Sequence, residues 1–244
     1  MNLAKLTDRV KAILTTPKSE WPLLAAEPAS VGSLYTGYIM VLAALPAIAA
    51  FIKSSLIGYS LLGVTMRIPI MSGLVHAVAS YLVSLLVVYV VALVIDTLAP
   101  TFGGEKNRVQ ALKATAYAWT ATWVAGVAII IPWLGWLIVL AGVVYAIYLL
   151  YLGLPPTMKC PPERAGAYTA VSVILAIILS WVLGMIIAAV IGSTMPGNSA
   201  FDGPHVVPQT GAVMTGSGMT GYAAAVAAPD PAMLDGPRTA IGSR

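Results

Sequence analysis

Residues 96–122 read DTLAPTFGGEKNRVQALKATAYAWTAT, and no other stretch of the chain places so many polar, charged, Gly and Pro residues between two long apolar segments. A membrane-spanning helix needs about 20 predominantly apolar residues, and such runs lie on both sides. The stretch therefore predicts a cytoplasmic junction between two membrane helices. In this junction Gly103 and Gly104 allow a left-handed turn, and Asp96 pairs with one of three cations, Lys106, Arg108 or Lys113.

The composition excludes a soluble domain. Hydrophobic residues make up 59% of the chain and charged residues 9%, whereas about a quarter of the residues of a typical soluble domain are charged. The net charge of +4 follows from cations beside helix ends and so indicates no nucleic-acid partner. The sequence predicts an all-α, polytopic membrane protein that is embedded in the lipid bilayer.

Hydropathy divides the chain into three parts. Residues 1–29 form a cytoplasmic amphipathic segment, residues 30–192 a transmembrane bundle of five helices, and residues 193–244 an irregular Gly/Pro/Ala-rich tail. Such a tail has too few large apolar residues to fold alone, so it is either disordered or held by a partner. The five helices are expected at residues 34–52, 70–98, 111–131, 136–154 and 169–192.

The segments between these helices are expected to be irregular or interfacial. Apolar residues recur at helical spacing over residues 3–14, which favours a short amphipathic helix, either in the membrane interface or packed on the protein's own cytoplasmic face. Residues 19–30 and 53–69 are expected as loops, and the first of these at headgroup depth. Pro155, Pro156, Pro161 and Pro162 are expected to end the fourth helix at residue 154, while PWLG at residues 132–135 allows only a tight hairpin.

The Lys and Arg residues predict the orientation of the helices. Nine of them fall in the N-terminal segment and in the two connections that five helices place on the same side, against Lys53 and Arg67 on the other side. Because cytoplasmic loops carry the excess of positive charge, the N-terminus is expected in the cytoplasm and the C-terminus in the periplasm. The nine are Lys5, Arg9, Lys11, Lys18, Lys106, Arg108, Lys113, Lys159 and Arg164.

Small residues recur four apart along two of the predicted helices, which allows close helix approach in a membrane. The close approach serves either packing within the bundle or an interface with another subunit. The two stripes are Ala114, Ala118, Thr122 and Gly126 in the third helix, and Gly184, Ala188 and Gly192 in the fifth.

Ionisable residues at membrane depth are functional hypotheses, and here they are His76 and Asp96. We expect a hydrogen-bonded packing histidine and a structural ion pair; a haem or metal pair of His76 with His205 and a proton relay through Asp96 are the alternatives. Lys159 and Arg164 would favour a thiolate at Cys160, which is interpreted as a loop thiol rather than a nucleophile. With no catalytic constellation and no cofactor motif, an enzyme is not expected.

Four segments resemble the bacterial branch of the Yip family, membrane proteins related to eukaryotic Ypt/Rab-interacting factors. They read TTPKSEWPLLAAEPAS, DTLAPTFGGEKNRVQALKATAYAW, IIPWLG and YLLYLGLPPTMKCPPERAGAYT, and the resemblance covers about residues 5–192. It implies five helices, a cytoplasmic N-terminus and a non-enzymatic protein that interacts with other membrane proteins or shapes membrane. The Asp-Leu-Tyr-Gly-Pro motif of eukaryotic members is absent, so Rab binding is not implied.

The sequence as a whole favours a scaffold or accessory subunit of a bacterial inner membrane. It would bind other membrane-protein subunits, or further copies of itself, through the small-residue faces and the C-terminal tail. The alternative is a transporter of ions or small solutes, with a cavity near Asp96, His76 and the aromatic residues of the third helix.

Overall fold

The computed structural model describes residues 3–61 and 64–194, and every element below lies in these ranges. Most of them are helical, with one short hairpin and short connections, so the predicted all-α class is confirmed. The predicted tail lies outside the described residues from residue 195 onward.

Two short helices precede the first apolar segment, α1 (Leu3–Thr15) and α2 (Pro17–Ala26). Helix α1 packs on the protein itself, because Leu6 and Ile13 are buried. The expectation of a loop at residues 19–30 was wrong for residues 19–26. Pro17 occupies the first helical position, where its missing N–H costs nothing, and burial of Trp21 and Leu24 holds the helix in place.

Helix α3 (Val31–Ile57) begins at a capping box, in which the Ser30 side chain accepts from the Ser33 N–H. It contains two π-helical stretches, Tyr35–Ile39 and Ile52–Ile57. Strands β1 (Tyr59–Leu61) and β2 (Val64–Met66) then pair antiparallel, with Tyr59 opposite Met66. The segment 53–69, expected as a loop, is therefore largely ordered helix and hairpin.

The remaining helices are α4 (Ile70–Leu98), α5 (Arg108–Gly126), α6 (Gly135–Met158) and α7 (Pro162–Thr194). Short 3₁₀ segments, Ala99–Phe102 and Val127–Ile130, extend α4 and α5.

Pro155 and Pro156 do not end α6 as expected. Each proline removes one backbone donor and crowds the carbonyl one turn earlier, but the buried Leu154 and Met158 hold the last turn, and α6 continues to Met158. It ends where Lys159 adopts a left-handed conformation, φ +53°.

Helix α5 is the most buried helix of the bundle and packs against α3, α4 and α6. Four helices in the described ranges are long and apolar enough to cross a membrane: Val31–Ile57, Ile70–Phe102, Gly135–Met158 and Pro162–Met185. Helix α5 is not among the four, since Arg, Gln, Lys and three Thr interrupt its apolar residues. It makes its contacts with protein, which explains why its sequence is less apolar.

Candidate functional site

The α4–α5 connection packs against the end of α6, and we call this end of the bundle the junction end. Gly103 has φ +77°, the left-handed conformation that favours glycine. A Cβ added to Gly104 would lie 2.7 Å from the Met158 carbonyl oxygen. The Glu105 N–H donates to that oxygen at 2.8 Å, and the Glu105 carboxylate lies 2.7 Å from the Lys159 ammonium. The two glycines thus allow a close approach as well as a turn.

Asp96 lies at this end, and its residue is only 8% exposed. One carboxylate oxygen is 3.9 Å from the Arg108 Nε, and the other has no hydrogen-bond partner among the described residues. Arg108 is largely exposed, so solvent weakens this contact. Of the three cations predicted to pair with Asp96, only Arg108 is within 4 Å in the part of the chain that the structure describes; Lys106 is exposed.

Lys113 points away from Asp96, to the end of α2. It is 2% exposed, and its ammonium donates to the Leu24 carbonyl at 2.8 Å and also to the Glu27 carbonyl. The last carbonyls of a helix lack helical partners and carry partial negative charge. Of the three alternative partners of Asp96, Lys113 is thus not the one used, because the α2 C-terminus offers it two carbonyl acceptors.

Beside Lys113 a charged cleft of about 700 Å³ opens between the N-terminal helices and the start of α3. Arg9 bridges two carboxylates across it, with Nη1 3.3 Å from Glu20 and Nη2 2.7 Å from Glu27. Lys5 and Asp8 line it from α1. The cleft brings together side chains from α1, α2, α3 and α5, and its Arg9 pairs tie the first two helices to each other.

Tyr38 and Tyr117 form the buried aromatic side of the charged cleft. Their ring centroids are 4.6 Å apart, and Trp21 meets Tyr117 edge-on at 6.3 Å. The hydroxyls of Tyr38 and Thr120 are hydrogen-bonded at 2.6 Å. The Tyr117 hydroxyl makes no hydrogen bond to any residue of the described ranges.

The small-residue stripe of α5 is used inside the bundle. Ala114 and Ala118 are buried, and a Cβ added to Gly126 would lie 2.8 Å from the Cβ of Pro46 on α3. Thr122 is half-buried. On the opposing helix, a Cβ added to Gly142 would come within 2.3 Å of the Ala125 Cβ. The geometry therefore favours packing within the bundle over an interface with another subunit as the role of the α5 stripe.

The small-residue stripe of α7 is not packed against another helix at Gly184, the one position of the stripe whose surroundings are described. A Cβ added to Gly184 would meet no atom within 4 Å, and the neighbouring Trp181 and Met185 are 71% and 59% exposed. The side chains of Ala188 and Gly192 lie outside the described residues.

His76 and Asp96 do not meet at a cavity. His76 is exposed on α4 and makes no hydrogen bond within the described residues, so the expected packing role was wrong. An apolar cavity of about 330 Å³ is lined by Trp119 and Trp181, with Ser172, but by neither His76 nor Asp96. No group of three or more His, Cys, Asp or Glu residues in the described ranges could hold a metal ion, and His205 lies outside those ranges.

Cys160 lies in the α6–α7 connection and is 4% exposed. Burial raises the pKa of its thiol, because a thiolate is poorly solvated away from water. Lys159 is exposed and paired with Glu105. The effect of neighbouring cations that would favour a thiolate is thus outweighed by burial.

Sequence reasoning missed the charged cleft. The sequence assigns Arg9 to topology and to the basic face of the first helix and Tyr117 to an interfacial aromatic belt, and it gives Glu20 and Glu27 no role. A helical reading of residues 17–26 would have placed Glu20 and Leu24 on one face, which was the available signal. The contacts of Arg9 and Lys113 join residues distant in sequence and leave no local pattern.

Comparison with known proteins identifies the family. The Yip1 domain model matches residues 11–184. The inner membrane protein YohC of Escherichia coli K12 is 28% identical over 178 residues, which cover 71% of this chain and 91% of YohC. YohC of Escherichia coli O6:H1 matches to the same extent. No solved structure matches. The sequence-based identification is confirmed, and the chain belongs to the Yip1 domain family.

Proposed function

We propose that the protein is a non-enzymatic scaffold or accessory subunit of the bacterial inner membrane. It crosses the membrane with five helices, α3 to α7, and binds other membrane proteins through the exposed face of α7. The inner-membrane location is supported by the name of its relative YohC.

The packing of α5 supports a fifth crossing. Beyond its first two turns, its polar residues Thr115 and Thr120 are fully buried within the bundle, and buried helices in a bundle tolerate such residues when their polar groups are hydrogen-bonded. Thr115 and Thr120 donate to carbonyls one turn earlier, at 2.9 and 3.2 Å. Helix α5 can therefore cross the membrane within protein.

The clustering of cations supports the orientation. Contacts at the junction end join the N-terminal helices to α5 through Lys113 and Glu27, and the α4–α5 connection to Lys159. Cationic segments from three parts of the chain thus lie at one end of the bundle. By the positive-inside rule we propose that this end faces the cytoplasm and that the end of α7 lies in the periplasm.

The open face at Gly184 is the observation that carries the proposed partner surface. A helix face with glycine allows another helix to approach closely. On α5 such positions are filled by the protein's own helices, whereas at Gly184 there is open space. The flanking Ile177 and Trp181 are 56% and 71% exposed and would flank the approaching helix.

The test is co-purification with a bulky residue at this position. Gly184→Leu fills the groove, and Ala141→Leu, at an exposed alanine of α6, adds comparable bulk on another helix. Tagged full-length variants are purified in mild detergent and the accompanying membrane proteins quantified by mass spectrometry, with a second tag to detect self-association. Gly184→Leu should reduce a specific partner about tenfold and Ala141→Leu should not. Equal recovery from wild type and both variants would refute the α7 surface.

The C-terminal segment is the second proposed partner element. Deleting residues 195–244 leaves every described helix in the chain, so loss of co-purifying proteins from that variant would assign binding to the segment. Unchanged recovery of each partner would remove the segment from the proposal and leave the α7 face.

A further inference from the structure

The charged cleft contains equal numbers of opposite charges. Its cations are Lys5, Arg9 and Lys113, and its carboxylates are Asp8, Glu20 and Glu27. A purely anionic ligand would meet the three carboxylates, and a purely cationic ligand the three cations. A zwitterion can instead place each of its charges beside a complementary side chain.

The free hydrogen-bonding groups of the cleft indicate where each charge would lie. Arg9 uses two nitrogens on Glu20 and Glu27, and a guanidinium carries five N–H donors, so donors remain. Lys5 and Asp8 form no ion pair with the described residues. The cleft thus offers unused donors at Lys5 and Arg9, an unpaired carboxylate at Asp8, and at Glu27 the carboxylate oxygen that Arg9 does not contact.

Tyr117 provides the second, independent observation. The residue is only 6% exposed and lines the cleft, yet its hydroxyl has no partner among the residues that the structure describes. The hydroxyl oxygen itself is not fully enclosed by protein, so a ligand in the cleft can reach it. A phosphate oxygen entering the cleft would accept this hydrogen bond and those of Arg9.

The position of the cleft suggests the source of the ligand. Ser33, Leu34 and Gly37, at the beginning of the first apolar span, line one side of it, so the cleft lies where lipid headgroups are found. Met40 and Val41 follow Gly37 by about one helical turn and are each 40% exposed. They provide an apolar path for acyl chains directly below the headgroup.

We propose that the charged cleft binds the headgroup of a zwitterionic phospholipid with a primary ammonium. The phosphodiester accepts from Tyr117, Arg9 and Lys5, and the ammonium donates to Asp8 and Glu27. A primary ammonium has three donors for these carboxylates, whereas a choline group has none. The inference does not depend on the proposed scaffold function.

Native mass spectrometry of the full chain, purified in detergent and titrated with lipid, tests this binding. The probes are phosphatidylethanolamine, phosphatidylcholine and phosphatidylglycerol with the same dioleoyl chains. Phosphatidylethanolamine should bind about tenfold more tightly than the other two, the effect of about one charged hydrogen bond. Equal affinity for the choline lipid, or tighter binding of the glycerol lipid, would overturn the proposal.

Two variants locate the site, each with a matched control. Tyr117→Phe keeps the ring contacts with Trp21 and Tyr38 and removes only the unpartnered hydroxyl; its control is Tyr151→Phe, on the exposed face of α6. Lys5→Gln removes an unpaired charge, and its control is Lys11→Gln, exposed on α1 outside the cleft. Each cleft variant should weaken phosphatidylethanolamine binding several-fold, and each control should leave it unchanged. Unchanged binding in Tyr117→Phe would overturn the assignment.

A soluble competitor separates a lipid from a free metabolite. Glycerophosphoethanolamine has the same headgroup without acyl chains, so it should fail to displace the lipid at equal concentration. Displacement at equal concentration would overturn the membrane source of the ligand.

Discussion

The ammonium nitrogen of Lys113, on α5, lies 2.8 Å from the carbonyl oxygen of Leu24, in the last turn of α2. The same ammonium donates to the Glu27 carbonyl just beyond that helix. A buried positive charge therefore lies against the C-terminus of α2. The unpaired carbonyls and the dipole of α2 stabilise this charge. This contact joins the N-terminal helices to the most buried helix of the bundle.

Replacing Lys113 should destabilise the protein far more than replacing a neighbouring lysine. Lys113→Met keeps the aliphatic stem but leaves the Leu24 and Glu27 carbonyls without their charged donor, a loss of about 2 kcal/mol. Lys106→Met, at an exposed position of the same junction, should change stability by less than about 0.5 kcal/mol. Thermal unfolding in detergent measures both, and similar losses would contradict the buried role of Lys113.

Gly153 should not tolerate a methyl group. A Cβ there would lie 2.6 Å from the Trp21 ring, so Gly153→Ala should cost about 1–2 kcal/mol as overpacking exceeds the helix-propensity gain. Gly166 is a helical glycine of α7 with open space around it, and Gly166→Ala should stabilise by about 0.5–1 kcal/mol. Opposite signs in thermal unfolding are the expected result. A Trp21→Leu background should remove most of the Gly153→Ala penalty, and an unrelieved penalty would place its cause elsewhere.

Cys160 should resist alkylation in the folded protein. The attacking species is the thiolate, and burial raises the pKa of this thiol. Maleimide labelling should therefore be slow near neutral pH and become rapid only after denaturation. A double variant, Lys11→Cys with Cys160→Ala, carries a single exposed cysteine on α1 and gives the labelling rate of an accessible thiol. Equal labelling rates of the two native proteins would contradict the burial of Cys160.

Because the pKa of Cys160 is raised in the folded protein, the free energy of unfolding should decrease as the pH rises through the range in which the thiol ionises. Since the folded thiol ionises at higher pH than the unfolded one, its contribution is fully present below the unfolded pKa. It is lost as pH rises through the folded pKa. Cys160→Ala should remove this dependence, so the difference in unfolding temperature between wild type and variant should shrink as the pH is raised above the usual range of a thiol.

The long apolar segments could be predicted from the sequence because a helix that spans lipid needs an uninterrupted run of apolar residues, which is a local pattern. Helix α4 runs over Ile70–Leu98, the range expected from hydropathy alone. The bounds of α6 could not be predicted as well, because burial of Leu154 and Met158 holds the last turn of this helix despite its two prolines. Residues 17–26 were misassigned for a related reason, since Pro17 starts a helix rather than breaking it.

The charged cleft could not be predicted because its contacts are long-range. Lys113 and Leu24, or Arg9 and Glu27, become neighbours only after α2 folds back on α5. From the sequence Lys113 is expected near Asp96, because residues 19–30 are expected to be a loop and so offer no helix C-terminus. The folded chain instead brings the Leu24 carbonyl at the end of α2 next to Lys113.

The orientation and the fifth crossing can be tested together, because they depend on the parity of crossings. If α5 crosses the membrane with α3, α4, α6 and α7, the two ends of the chain lie on opposite sides; with only the four most apolar helices crossing, they lie on the same side. Reporter fusions after Thr194, with green fluorescent protein for the cytoplasm and alkaline phosphatase for the periplasm, distinguish these cases. We expect phosphatase activity and no fluorescence there.

A fusion in the α6–α7 connection after Lys159 provides the internal control. It should show the reverse pattern, since this connection contacts the α4–α5 junction through Glu105 and shares its side. Lys53 and Arg67 are the cations near the opposite connection, so exchanging charge between the two ends should weaken the bias. Fluorescence from the fusion after Thr194, with the Lys159 fusion also cytoplasmic, would mean that α7 does not cross. Fluorescence there with phosphatase activity at Lys159 would mean that α5 does not cross.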